Sequence, residues 1–414
     1  MSNAPVKGPK PPRERFTNPF AEFPREVGVL VFASFFVAVG FGIIAPTIPL
    51  FAKSFGVNNA QVGSILSAFA FARFASGLVA GKLVDIFGER LVYTVGIAFV
   101  ALSSFAAALA QSYEQLLIFR SAGGLGSSMF SVAAGSIILR AVGDGQRARA
   151  QSLYNSSFLV GMMAGPVIGG FLTAISLRAP LLVYGALLVV ASAAGGFLLR
   201  NSVLAARPTE KSLAVKTSMR EALAMKPYVI ALIISFSTAW VLFGMSRSVL
   251  PLFMVEDMKS SAGFIGIGFT ISAVVQGLFL LRAGRLSDER GRKFSAISGL
   301  TLLGISVLLL VVTFHPWIFL LSMFIGAFGS AFLSTTPSAI VGDVLKGKGG
   351  QVIALYQMSG DAGAMVAPIV LGFIADHYGF RATFAVSALL VTVAIIVATK
   401  LPETRSSHLG QSSK

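Results

Sequence analysis

The chain has 414 residues, 55% hydrophobic and only 12% charged, with a net charge of +16 and no cysteine. A soluble domain carries roughly 25% charged residues, so this composition excludes an ordinary soluble protein, and the missing cysteine excludes disulfides, thiol chemistry and Cys-based metal sites. The basic residues sit in short stretches between apolar runs rather than in one polar domain, which reads as membrane topology and not as nucleic-acid binding.

Residues 1–26 are rich in Pro, Lys and Arg, with Phe16, Phe20 and Phe23 interspersed. They lack the apolar core and small-residue cleavage site of a signal peptide, and are expected to form a basic tail on the inner leaflet. Apolar runs of spanning length, about 20 residues each, follow at 27–51, 62–80, 91–110, 115–139, 151–175 and 180–199. After a polar break come 227–254, 262–282, 294–313, 317–342, 351–375 and 380–400. This predicts twelve transmembrane helices with both termini on one side. Of the 33 Lys and Arg, three lie well inside runs (Arg73, Arg120, Arg247), and Lys53, Arg178, Lys259 and Arg381 fall in, or at the run ends facing, one set of loops. All others lie in the tails and the opposite loops or at the run ends that face them, which predicts cytoplasmic termini. The expected organisation is a cytoplasmic tail (1–26), a six-helix bundle (27–199), a cytoplasmic linker (200–226), a second six-helix bundle (227–400) and a cytoplasmic tail (401–414). Within the linker, Ser212 to Met225, with Leu213 and Met219, has the pattern of an interfacial amphipathic helix.

The two halves repeat. Gly81-Lys82-Leu83-Val84-Asp85-Ile86-Phe87-Gly88-Glu89-Arg90 returns 203 residues later as Gly284-Arg285-Leu286-Ser287-Asp288-Glu289-Arg290-Gly291-Arg292-Lys293. Gly81 and Gly284 suit close helix approach, and Gly88 and Gly291 suit a turn with φ > 0. Asp85 and Asp288 suit pairing with Arg or capping a helix N-terminus. Pro49-Leu50-Phe51 matches Pro251-Leu252-Phe253, Leu153-Tyr154 matches Leu355-Tyr356, and Gly165-Pro166 matches Ala367-Pro368, all at an offset of 202. Parallel repeats of this kind imply a cavity between two like bundles and alternating access by rocking.

The paired loop stretches resemble the cytoplasmic loop signature of the major facilitator superfamily, a family of secondary transporters. Gly161-Met162-Met163-Ala164-Gly165-Pro166-Val167-Ile168-Gly169-Gly170 resembles the antiporter motif of its twelve-helix drug:proton exporters. Gly40-Phe41-Gly42-Ile43-Ile44-Ala45-Pro46-Thr47-Ile48-Pro49 and Arg120-Ser121-Ala122-Gly123-Gly124-Leu125-Gly126 are similar to two further motifs of those exporters. The chain departs from the pattern at Ile86 and Glu89, where the family often has Arg, and at Gly123, where Gln is common. The resemblance implies an all-α integral membrane protein of two pseudo-symmetric six-helix bundles in the cell's inner membrane. It also implies proton-coupled efflux of small amphipathic compounds.

Charges inside spans are costly and usually face a cavity or a partner. Asp361 is the only acidic residue near mid-span, about 15 Å beyond the helix start at Gln351 at 1.5 Å per residue, and is the expected proton-coupling site. In the fold this chain resembles, the second and eleventh helices meet, so Arg73 can pair with Asp361 across the halves. Arg120 and Arg247 are candidate cavity cations, with snorkelling to the surface as the alternative. Trp240, Phe243, Gly244 and Arg247 recur at helical spacing and share one predicted face. Tyr154, Asn155, Tyr356 and Gln357 are candidate pocket residues, with helix-packing roles as the alternative. Three embedded arginines against one aspartate disfavour a strongly cationic substrate. His315, His377 and His408 fall in apparent loops or the tail, which argues against a buried histidine relay. No nucleotide loop or catalytic constellation stands out either, so the expectation is a monomeric non-enzyme with no cofactor, powered by a proton gradient. A metabolite or lipid-linked exporter, a nutrient importer and a non-transporting membrane sensor are the competing readings.

Overall fold

A computed structural model describes residues 23–404 except 45–46, 58, 144–145, 201, 203–216, 261, 313–314 and 346–348. The predicted basic tail up to residue 22 and most of the linker lie outside the described residues.

Regular structure is all-helical among the described residues. The first half contains α1 (Arg25–Ile44), α2 (Thr47–Lys53), α3 (Asn59–Phe87), α4 (Glu89–Ala108), α5 (Tyr113–Ala141), α6 (Arg147–Ile175) and α7 (Ala179–Leu198). The second begins with a short α8 (Met219–Ala224), then α9 (Lys226–Ala239), a π-helical segment (Trp240–Val249) and α10 (Leu250–Glu256). It ends with α11 (Ala262–Arg290), α12 (Arg292–Val312), α13 (Pro316–Leu333), α14 (Thr336–Val344) and α15 (Gly350–Thr399). Among the described residues, eleven helical stretches have the length and composition to cross a membrane, and the last, 50 residues long, is broken at Gly379 by a φ of 78°. Counting its two limbs separately gives the twelve expected spans.

Three details differ from the sequence reading. The run 317–342 is interrupted between α13 and α14, where Pro337 in the first turn of α14 has no N–H to continue the ladder. The expected linker helix from Ser212 is described only as Met219–Ala224. It is closed by a capping box in which Ser218 Oγ accepts from Glu221 N and the Glu221 carboxylate accepts from Ser218 N. His377, expected in a loop, lies exposed on α15.

Within the first half, α1 packs on α6 and α7, and α5 packs on α3 and α4; within the second, α15 packs on α9, the π segment and α12. The antiporter-motif glycines make the α1–α6 contact possible. A Cβ at Gly161 would stand 2.7 Å from the Phe35 carbonyl oxygen, and one at Gly165 would stand 2.6 Å from that of Val39. Gly169 lies against Ile43 backbone in the same way, whereas Gly170 faces open space and takes no part in the packing. Gly165→Leu is therefore expected to destabilise the protein by roughly 1–3 kcal/mol through overpacking. Gly170→Ala is expected to be neutral or mildly stabilising. Thermal unfolding in detergent measures both.

The halves meet along two seams, α3 against α15 and α6 against α11. Gly81 and Gly284 occupy equivalent crossing points. An added Cβ would stand 2.8 Å from Gln351 Cα at the first, and 2.9 Å from the Ala148 carbonyl oxygen at the second. Any side chain there pushes one half off the other, so Gly284→Val is expected to shift the population away from the conformation described here. Spin labels placed on α6 and α11 near the loop motifs would report the separation.

Candidate functional site

Both loop-motif aspartates work across the halves. Gly88 and Gly291 adopt φ of 84° and 102°, turning the chain sharply between α3 and α4 and between α11 and α12. Ahead of each turn, the aspartate reaches a helix N-terminus of the opposite half. Asp85 Oδ1 accepts from Gly350 N at 2.9 Å, at the start of α15. The Asp288 carboxylate accepts from Ala148 N at 3.3 Å and Arg149 N at 3.0 Å, at the start of α6. Each carboxylate thus satisfies amides that a helix leaves unbonded, and lies at the positive end of its dipole.

Around Asp288 stands a denser ionic group. Arg292 Nη1 donates to Asp288 at 2.6 Å and its Nε to Asp343 at 3.0 Å, while Arg147 Nη1 reaches Asp343 from the other half at 2.9 Å. Thr404 Oγ1 also donates to Asp343, at 2.8 Å, and Glu403 accepts from Arg292 N at 2.8 Å. Arg292 and Asp343 are almost fully buried, at 0% and 1% exposure. Near Asp85 the corresponding pair is Glu89 with Arg140, and Ser136 Oγ also donates to Glu89 at 3.0 Å.

In the sequence Glu89 stands out only as a departure from the motif, and Arg140, Arg147, Arg149 and Asp343 carry no local mark of their role. The repeat offset carries the missing signal. Adding 203 to Glu89 and Arg140 gives Arg292 and Asp343, the same bridge with its polarity reversed. Arg90, the last residue of the first loop motif, is turned away from the other half. Its Nη1 donates to the Arg200 carbonyl at 3.0 Å, within the first half.

Deeper along the α3–α15 seam, Arg73 Nε donates to Asp361 Oδ2 at 2.9 Å and Nη1 donates to Ser127 Oγ at 3.1 Å. The pair links the halves at the inner end of a seam that begins at Asp85 and Gly350. Between these points, Ser131 Oγ donates to Gln357 Oε1, and Gln357 Nε2 donates back to the Ser131 carbonyl, both at 2.8 Å. On the α6 side Asn155 Nδ2 donates to the Ser334 carbonyl at 2.7 Å. Two of the four expected pocket residues therefore serve as cross-half bridges in this conformation. Tyr154 and Tyr356 are both partly buried against the core.

Arg120 does not snorkel. It is 2% exposed, its guanidinium lies 5.0 Å from the Phe69 ring centre, and its Nε and Nη1 have no hydrogen-bond partner among the described residues. Buried donors of this kind are costly to leave unpaired, so the site is suited to an acceptor.

The face predicted from Trp240 to Arg247 is corrected by the structure, because this stretch winds as a π-helix. Its i→i+5 bonding widens each turn and rotates residues away from the α-helical stripe. Trp240 is buried (6% exposed) and donates from Nε1 to Ser387 Oγ at 3.2 Å, while Gly244 lies against Ala367. Phe243, 47% exposed, and Arg247 remain together at the surface, with the guanidinium 4.6 Å from the ring centre. Trp240 is thus a packing residue, and Arg247 with Phe243 is a separate cationic and aromatic unit. Among the described residues no cluster of three or more His, Asp or Glu is placed to hold a metal.

A sequence model of the Major Facilitator Superfamily matches residues 30–248 and 232–414. The quinolone resistance protein NorA of Staphylococcus aureus is 22% identical over 91% of this chain and 97% of its own. Multidrug resistance protein 1 of Bacillus subtilis is 24% identical over 93% of this chain and 98% of its own. Among solved structures, a bacterial homologue of the iron transporter ferroportin in an outward-facing state superposes with a TM-score of 0.78. It is 15% identical over 91% of this chain and 99% of its own.

Proposed function

This chain belongs to the Major Facilitator Superfamily of membrane transporters, and from that premise we propose that it is a proton-coupled exporter of small amphipathic compounds. The observation that carries the reading is the Arg73–Asp361 pair, a titratable carboxylate bridging the two halves at the inner end of their seal. Kinship in sequence to proteins named for quinolone and multidrug resistance supports the substrate class.

The coupling follows from charge. The loop-motif side, which the charge bias of the loops assigns to the cytoplasm, is closed by Asp85, Asp288 and Asp343 contacts. With that side sealed, Asp361 is reached from the external side. A proton arriving there removes the carboxylate's charge, weakens its hold on Arg73 and eases opening toward the cytoplasm. Substrate enters from the cytoplasm, the proton leaves, and the re-formed ion pair draws the halves together and returns the substrate to the external side. Protons move in as substrate moves out. Buried Arg120, with unpaired donors, and the Arg247–Phe243 unit favour neutral, zwitterionic or anionic amphiphiles over cations.

Inside-out vesicles holding the protein and an imposed proton gradient provide the test. Neutral and anionic amphiphiles are expected to dissipate the gradient, and permanent dications are expected not to. Uptake of a labelled compound with no pH response would point instead to uniport or another coupling ion. A pH change of the opposite sign would mean import.

A further inference from the structure

Arg90 and Arg200 mark one end of a groove that lies apart from the Arg73–Asp361 pair and the cross-half contacts. The groove lies between α4 and α7, on the side of Arg90 away from the other half, and has a volume of about 660 Å³. Its floor is made of small residues, among them Ala98, Ala193 and Gly196, and its walls include Leu102, Val189 and Phe197, each at least half exposed. The two helices run antiparallel, so the start of α4 and the end of α7 bring both arginines to the loop-motif end. From Arg90 to Phe105 the groove extends about 22 Å along α4 at 1.5 Å per residue, longer than one leaflet of a hydrocarbon core about 30 Å thick.

We propose that this groove is a binding site for one anionic phospholipid in the leaflet on the loop-motif side, with its phosphate on Arg90 and Arg200 and an acyl chain along the apolar walls. Charge complementarity selects this occupant over a neutral lipid. One Arg90 nitrogen is committed to the Arg200 carbonyl, which holds the two residues together and leaves other guanidinium donors of both for phosphate oxygens. Neither guanidinium has a carboxylate partner among the described residues. The acid nearest in sequence, Glu89, is neutralised by Arg140 and Ser136. One turn above Arg90, Thr94 continues the lining of the groove, with its hydroxyl buried against Gly195 and Gly196 of α7. Basic pockets between transmembrane helices near the cytoplasmic surface recognise lipid head groups in this manner. The site ties the first-half loop motif to the surrounding membrane and is independent of the substrate.

Native mass spectrometry of the full-length protein, equilibrated in mild detergent with equal amounts of phosphatidylglycerol and phosphatidylcholine, tests the proposal. The wild type is expected to retain phosphatidylglycerol several-fold over phosphatidylcholine. Arg90→Gln with Arg200→Gln should abolish that preference, and Arg90→Lys with Arg200→Lys should largely keep it. Ala193→Trp, which fills the groove and leaves both charges in place, should reduce retention as much as the double Gln variant, and it decides the matter if that variant does not fold. Equal retention of the two lipids by the wild type would overturn the proposal. So would a preference unchanged in Ala193→Trp, or one erased by inorganic phosphate, which would identify a surface anion site without a lipid groove.

Discussion

Asp361→Asn is expected to lower proton-driven transport by about tenfold or more, at least about 1.4 kcal/mol of coupling, while expression and thermal stability stay close to wild type. The amide keeps an acceptor for Arg73 Nε but, like the protonated acid, holds it more weakly; the Asp85, Asp288 and Asp343 contacts remain to join the halves, and no charge is left that a proton can remove or restore. A variant of this kind is expected to exchange labelled for unlabelled substrate at equal pH on both sides and to fail only when a pH gradient must do work. Arg73→Lys keeps the positive charge and loses the fork that holds Asp361 and Ser127 together, so a reduced but still pH-dependent rate is expected. Measuring exchange and gradient-driven uptake in the same vesicles separates coupling from architecture. A permanent structural ion pair would cost stability and both activities alike, and undiminished gradient-driven transport in Asp361→Asn would remove Asp361 from the mechanism.

The second large effect concerns the ionic group at the loop motifs. Asp343→Asn takes a charge from two arginines at once, one of them, Arg292, fully buried. Leaving a buried charge without a partner typically costs roughly 3–5 kcal/mol; the retained Asp288 contact moves the expectation to the lower end of that range. The reversed polarity of the two bridges permits a sharper test. Glu89→Arg alone places two cations against each other in the first half and is expected to be strongly destabilising. Combining it with Arg140→Asp gives the first half the charge order of the second, and is expected to recover most of the loss. Unfolding midpoints of the single and paired variants form a double-mutant cycle whose coupling term measures the bridge. Purely additive effects would mean that the two residues do not act as a pair.

Much of this molecule is legible in the linear chain, for reasons that are local. Spans appear because each must bury about 20 residues in hydrocarbon, and the loop motifs appear because a duplicated chain carries the same short turn twice. Asp361 stands out because a mid-span carboxylate is rare in any membrane protein. The sharp turns at Gly88 and Gly291 follow from glycine's freedom at φ > 0.

Other features depend on helix rotation and partner choice, to which a single run of sequence is blind. Asp85 and Gly350 are 265 residues apart, and Arg73 and Asp361 are 288 apart. Whether Asp85 would cap a helix or pair with an arginine was open until the opposite half was in place. Arg120 is buried because Phe69 on α3 lies beside it, and spacing along α5 alone allows a snorkelling arginine equally well. Trp240 and Phe243 part company because π winding alters the angle between successive residues. Arg90 follows its motif in sequence and leaves it in space, drawn to the carbonyl at the end of α7. Hydropathy and repetition set how many helices there are and where they turn; the contacts between helices decide which faces meet, because those contacts depend on residues far apart in the chain.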